Sequence, residues 1–208
     1  MTLERDIVFL YFFAADDGRT TEEKIVAAVG EYAKIRNIPP LAHPAVQRTE
    51  RGKPYIAGDQ GIGVSVSHSG EWFVCALTEG AVGVDIEQHK QAKEQHISEV
   101  RNRFMQIAKR FFHPQEAAFV EQDPHSRFYT VWTAKESYVK YTGTGMDETF
   151  GEHCVIPLSY GEEKFSGQAL PAEWQSEGVF FRQMSYPEAY TLCVCKANQF
   201  DIQIQCMM

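Results

Sequence analysis

The order in which two hydrophobic periods succeed one another constrains this chain more than any other feature. Asp6 to Phe13 opens an apolar run, Ile7 to Ala15, that stops at Asp16-Asp17-Gly18. It is too short to span a bilayer and reads as a buried strand ended by a turn. Thr20 and Glu23 then form a capping-box pattern, opening a helix with Ile25, Ala28, Val29, Tyr32 and Ile35 on one stripe. Pro39-Pro40 ends it, and a loop runs to about Pro54. Three strands follow: Ile62, Val64 and Val66 alternate with small residues, Trp72 to Thr78 is the second, and Val82 to Glu87 the third. Glu79-Gly80 predicts a tight hairpin between the last two. Ile97, Val100, Phe104, Ile107 and Phe111 fall at helical spacing. Pro114 interrupts that helix and starts a short one to about Val120; a third, about Phe128 to Tyr141, stops at Gly143. Strands are expected again at Glu152 to Leu158, Gly178 to Ser185 and Tyr190 to Lys196, the last two joined by Tyr186-Pro187-Glu188. This order predicts an α+β fold with hairpins, not a doubly wound parallel sheet, and its two halves have loosely similar order.

Charge and cysteine content narrow the function classes. A formal net charge of −8 over 208 residues argues against general nucleic-acid or anionic-membrane binding. A local exception runs from Lys90 to Arg110, with Lys93, Arg101, Arg103 and Lys109 between, and reads either as a solvated helix face or as a docking surface. The N-terminal run lacks the basic flank and cleavage site of a targeting segment, so a cytoplasmic protein is expected. Cysteines 75, 154, 193, 195 and 206 are odd in number with no CxxC pair, which predicts reduced, buried thiols; Cys193 and Cys195 would share one strand face.

Four clusters could carry chemistry. In Val82-Gly83-Val84-Asp85-Ile86-Glu87, strand alternation puts Asp85 and Glu87 on one face, where two carboxylates repel unless a hard cation such as Mg²⁺ lies between them. Taken alone, the pair also fits an exposed strand face with ordinary solvated acids. Trp132, Glu136 and Lys140 are spaced i, i+4, i+8 on the third helix; they form either a surface pair or a third oxygen ligand with a phosphate-facing lysine. Ser67-His68-Ser69-Gly70 ends a strand in a sharp turn that suits phosphate oxygens. Arg48-Thr49-Glu50-Arg51-Gly52-Lys53-Pro54 is a basic loop, either a charged surface or a phosphate partner.

Together with Lys109-Arg110-Phe111-Phe112-His113-Pro114-Gln115-Glu116, these motifs resemble, in order, the signature series of Sfp-type 4′-phosphopantetheinyl transferases, over positions 48 to 145. The resemblance implies a pseudo-twofold pair of similar α/β halves, residues 1–100 and 101–208, with coenzyme A in the cleft between them. It implies Asp85, Glu87 and Glu136 as Mg²⁺ ligands and Lys140 as the phosphate-contacting lysine. Arg48, Arg51, Gly52, Lys53 and Pro54 would form the loop around the nucleotide, and Ser67 and His68 would touch phosphate. Phe111 and Phe112 are read as core and Glu116 as a site candidate. The N-terminal basic residues Arg19, Lys24, Lys34 and Arg36 stand in no matching motif.

The implied reaction is attack by a carrier-protein serine on the β-phosphate of coenzyme A, with Glu136 taking the proton and Asp85 and Lys140 completing the catalytic set. Expected partners are coenzyme A and an apo acyl or peptidyl carrier protein, with no nucleic acid and no membrane, and the protein is expected to be a monomer. A catalytically silent coenzyme A or carrier-binding module and a metal-dependent phosphohydrolase are the alternatives.

Overall fold

The computed structural model describes residues 5–39, 44–58, 61–89, 96–157, 160 and 169–207. The N-terminal apolar run is β1 (Asp6–Ala14). Its side chains alternate between two cores: Val8, Leu10 and Phe12 face one, and Phe9, Tyr11 and Phe13 the other. A strand apolar on both faces has to lie between layers. α1 (Thr21–Arg36) covers the second core and starts with the expected capping box, in which the Glu23 N–H donates to Thr20 Oγ1 at 3.2 Å and the Thr20 N–H to Glu23 Oε2 at 2.7 Å. The helix ends before Pro39, because Asn37 adopts the left-handed conformation (φ 53°) and caps it.

β1 lies in a four-stranded sheet of order β10 (Phe200–Cys206), β1, β5 (Trp72–Glu79), β4 (Ile62–Ser69). The second sheet has the order β6 (Gly83–Gln88), β9 (Tyr190–Lys196), β8 (Val179–Met184), β7 (Glu173–Ser176). The apolar core between the sheets joins Val8, Leu10 and Phe12 to Val84, Ile86, Leu192 and Val194. On the outer face of the second sheet lies α4 (Pro124–Thr142), stopped at Gly143 with φ 76°. α2 (Ile97–Phe111) and α3 (Pro114–Gln122) pack on α4 through an aromatic cluster of Phe104, Phe112, Phe119 and Phe128. A short pair, β2 (Val46–Arg48) and β3 (Pro54–Ile56), carries the basic loop at its tip. The molecule is mixed α+β; among the described strand pairs only β1–β10 is parallel.

Four expectations need correction. The hairpin at Glu79-Gly80 does not form: β5 has β1 on one edge and β4 on the other, so β6 crosses to the second sheet and pairs with β9. The expected strand from Glu152 is irregular through residue 157, and Leu158 lies outside the described residues. Side chains replace a ladder there: the Val155 N–H donates to Glu116 Oε1, Trp174 Nε1 donates to the Val155 carbonyl, and Ser176 Oγ to that of Cys154. The apolar stripe of α2 is buried only at its middle, Phe104 and Ala108, while Ile97 and Phe111 are exposed. Phe112, in contrast, is core. Among the cysteines, which are all unbridged, Cys75, Cys154, Cys193 and Cys195 are buried and Cys206 is exposed.

No helix of the described residues is long and apolar enough to cross a membrane. Of the basic stretch, Lys90 and Lys93 lie outside the described residues, whereas Arg101, Arg103, Lys109 and Arg110 are exposed on α2.

Candidate functional site

Close contact between β6 and α4 builds the site. Gly83 permits it: a Cβ there would run into the Ser137 carbonyl oxygen and stand 2.6 Å from the Tyr141 nitrogen. With the strand so near the helix, Asp85 and Glu87 on its α4-facing side meet Trp132, Glu136 and Lys140. Lys140 Nζ sits 2.6 Å from Asp85 Oδ1 and 2.9 Å from Ser67 Oγ, and Trp132 Nε1 donates to Glu87 Oε1 at 3.3 Å. A cavity of about 480 Å³ is lined by these five residues together with Arg48, Ser67 and His68. An adjoining cavity of about 340 Å³ shares Arg48, Glu136 and Lys140 and is closed by Arg51, Gly52, Lys53 and Pro54. All the sequence-predicted site residues except Glu116 therefore line two neighbouring cavities, although their motifs are spread from position 48 to 140.

The electrostatics are those of crowded acids. Burial first, and then the neighbouring Asp85 and Glu87 carboxylates, push Glu136 up to about 7, with Lys140 opposing. Glu87 is also raised, by burial and by Asp85, against hydrogen bonds from Ser69 and Trp132. Asp85 is 3 % exposed; its Oδ1 accepts from Lys140 and from Ser67 Oγ at 2.7 Å, while its buried Oδ2 has no hydrogen-bond partner. Among the described residues, no three His, Cys, Asp or Glu side chains lie close enough together, as they stand, to hold a metal ion. The orphaned Oδ2 and the raised Glu87 and Glu136 carboxyls beside it nevertheless form a donor set of hard oxygens that fits a divalent cation such as Mg²⁺.

The basic loop is tied across the cavity mouth to the end of α4. Lys53 Nζ donates to the Tyr141 carbonyl at 2.8 Å, capping that helix terminus, and burial lowers its pKa. Arg51 bonds Asp147 Oδ2 at 3.0 Å and the Thr144 carbonyl. Arg48 pairs with Glu22 at 2.8 Å and donates to the Gly52 carbonyl. His68 is exposed on the rim. The four N-terminal basic residues all have internal partners: Arg19 and Lys24 hold Asp17, Lys34 holds Glu31 and Arg36 holds Glu79.

Glu116 lies away from the cavity. Fully buried, it accepts from the His113 and Val155 N–H groups and pairs with Lys135 Nζ at 2.9 Å. Lys135 in turn donates to the His153 carbonyl and lies over the Phe150 ring. Sequence reasoning missed this pair. Its signal was present, since Lys135 falls about 100° around the helix from the centre of the Trp132–Glu136–Lys140 stripe and off its cavity-facing side, where a cation needs a buried partner. A larger cavity of about 730 Å³, lined by His89, His125, Arg127 and Gln183 among others, holds none of the predicted residues.

Acids and an ammonium group facing a cationic loop across two sheets suit a ligand that carries phosphate. Comparison with known proteins gives the family. The family described as the 4′-phosphopantetheinyl transferase superfamily matches residues 81–195, more than half of the chain, and the chain belongs to it. A 4′-phosphopantetheinyl transferase of Bacillus subtilis is 33 % identical over 153 residues, covering 72 % of this chain and 61 % of the relative. A putative one of Synechocystis is 28 % identical over 178 residues, 78 % of this chain and 63 % of the relative. The L-aminoadipate-semialdehyde dehydrogenase-phosphopantetheinyl transferase of Mus musculus is 31 % identical over 159 residues, 69 % and 48 % respectively. The chain thus spans about three fifths or less of the length of these curated relatives.

Proposed function

We propose that this chain transfers the 4′-phosphopantetheine group of coenzyme A to a serine of an acyl or peptidyl carrier protein, releasing adenosine 3′,5′-bisphosphate. The observation that carries this reading is the meeting of Asp85, Glu87, Glu136 and Lys140 in one cavity opposite the Arg48–Pro54 loop. Coenzyme A would lie along the two cavities, with its nucleotide toward Arg48, Arg51, Gly52, Lys53 and Pro54 and its diphosphate toward Ser67, His68 and Lys140. Asp85, Glu87 and Glu136 would hold Mg²⁺, which supplies neutralisation of diphosphate charge. Glu136 accepts the proton of the attacking serine hydroxyl, and its raised pKa suits a base working near neutrality. The serine oxygen forms its bond to the β-phosphorus as the bond to the bridging oxygen breaks, and the bisphosphate leaves with that electron pair. Lys140 stabilises the non-bridging oxygens throughout.

The pseudo-twofold reading, with the active site between the halves, is supported by strand order, although a repeat that opens with β6 divides the chain before residue 83 and not near residue 100. β1, α1, β4 and β5 give the sheet order β1-β5-β4; β6, α4, β8 and β9 give β6-β9-β8. Two such units in one chain already make a cleft, so a monomer suffices. The exposed Arg101 and Arg103 on α2 would meet an acidic carrier.

The test is to incubate the protein with coenzyme A, Mg²⁺ and an apo carrier and to weigh the carrier. A gain of one phosphopantetheine unit, lost in excess EDTA and in Asp85→Ala, is expected. Binding without mass gain would indicate a silent module, and hydrolysis of coenzyme A without modification a phosphohydrolase.

A further inference from the structure

β4 and β6 run side by side, yet no backbone ladder joins them: β4 pairs with β5 and β6 with β9. Hydroxyls join them instead. The Val84 N–H donates to Ser65 Oγ at 3.0 Å, the Ile86 N–H to Ser67 Oγ at 3.3 Å, and the Gln88 N–H to Ser69 Oγ at 3.0 Å. Serines at alternate positions project from one side of a strand, so three rungs form in register with alternate N–H groups of β6. A hydroxyl carries one proton and two acceptor sites. With an acceptor site taken by the N–H, the Ser67 proton goes to Asp85 Oδ1 at 2.7 Å and that of Ser69 to Glu87 Oε2 at 2.9 Å. Each of these two hydroxyls thus binds the N–H of one residue and the carboxylate of the residue before it. At the Ser65 rung the preceding residue is Gly83, which has no side chain to bind.

We infer that Ser67 and Ser69 are positioning residues, whose hydroxyls orient the Asp85 and Glu87 carboxylates toward the cation site. A hydroxyl whose rotation is restrained by a backbone donor fixes one carboxylate oxygen and leaves the other without a bond to the ladder. For Asp85 the oxygen left over is the unpartnered Oδ2. For Glu87 it is Oε1, steadied by Trp132. Second-layer hydrogen bonds of this kind change metal affinity or activity by about 10- to 100-fold. The inference rests on the metal-dependent reading above, and Ser69 is its cleaner probe because Ser67 also accepts from Lys140.

The fold supplies the control. Ser65→Ala removes the same kind of rung without releasing a carboxylate. MnCl₂ is titrated calorimetrically into the wild type, Ser65→Ala, Ser67→Ala, Ser69→Ala and Ser69→Thr, with and without coenzyme A, beside urea unfolding and carrier-mass assays. Mn²⁺ binding about 10- to 100-fold weaker in Ser67→Ala and Ser69→Ala, near wild type in Ser65→Ala, and restored in Ser69→Thr is the expected pattern. Equal weakening in Ser65→Ala and Ser69→Ala would reduce the ladder to a structural seam and overturn the inference. Wild-type Mn²⁺ affinity in Ser69→Ala would do the same while transfer by the wild type stands. A wild type that neither binds Mn²⁺ nor modifies the carrier would instead overturn the functional reading beneath it.

Discussion

Glu136 makes the site expensive to fold, and removing its charge tests that directly. Its carboxyl is raised from an ordinary 4.5 to about 7 by burial and by Asp85 and Glu87. A carboxyl raised in the folded state holds its proton there at pH values where the unfolded chain has lost it. Its contribution therefore falls as pH climbs between 4.5 and 7, and the penalty is complete above 7. The separation amounts to about 3 kcal/mol at pH 8 and under about 1 kcal/mol at pH 5, at 1.36 kcal/mol per unit. Glu136→Gln should thus stabilise the protein in EDTA more at pH 8 than at pH 5, by about 2 kcal/mol, while abolishing carrier modification. Urea unfolding at the two pH values, with and without Mg²⁺, is the assay, and the divalent ion should stabilise the wild type more than the variant. A change in unfolding free energy that is the same at both pH values would mean that Glu136 ionises like an exposed carboxylate, and the argument from crowding would fail.

Glu116→Ala leaves the Lys135 ammonium buried without its carboxylate and should cost about 3–5 kcal/mol in urea unfolding; a loss below about 1 kcal/mol contradicts a buried pair that matters. Gly83→Ala should cost about 1–3 kcal/mol and slow transfer, because the new methyl group pushes β6 away from α4 and carries Asp85 with it. Wild-type stability and turnover in that variant would show that the close approach is dispensable. Reversing Arg101 and Arg103 to Glu should raise the KM for the carrier and leave the KM for coenzyme A unchanged; an unaltered carrier KM removes α2 from the docking face.

Local patterns carried much of this protein. The capping box at Thr20 and Glu23, the stop at Gly143, and the alternation that puts Asp85 and Glu87 on one side of β6 all depend on residues within a few positions of each other, and all appear as read. The Trp132–Glu136–Lys140 stripe is a consequence of helical geometry alone. Ser65, Ser67 and Ser69 also alternate visibly, but alternation cannot say what lies across the strand. Only the tertiary structure decided that β6 leaves its sequence neighbour β5 for β9, since both edges of β5 are taken by strands far away in the chain. It also decided that Glu116 belongs to Lys135 instead of the cavity, and that Val155 is held by side chains and not by a ladder. A residue's periodicity is set by its own backbone, whereas its partner is set by which distant surfaces are left to be covered. That is why the residues that line the two cavities could be picked out along the chain, while the side chains that hold them in place could be found only in the packed molecule.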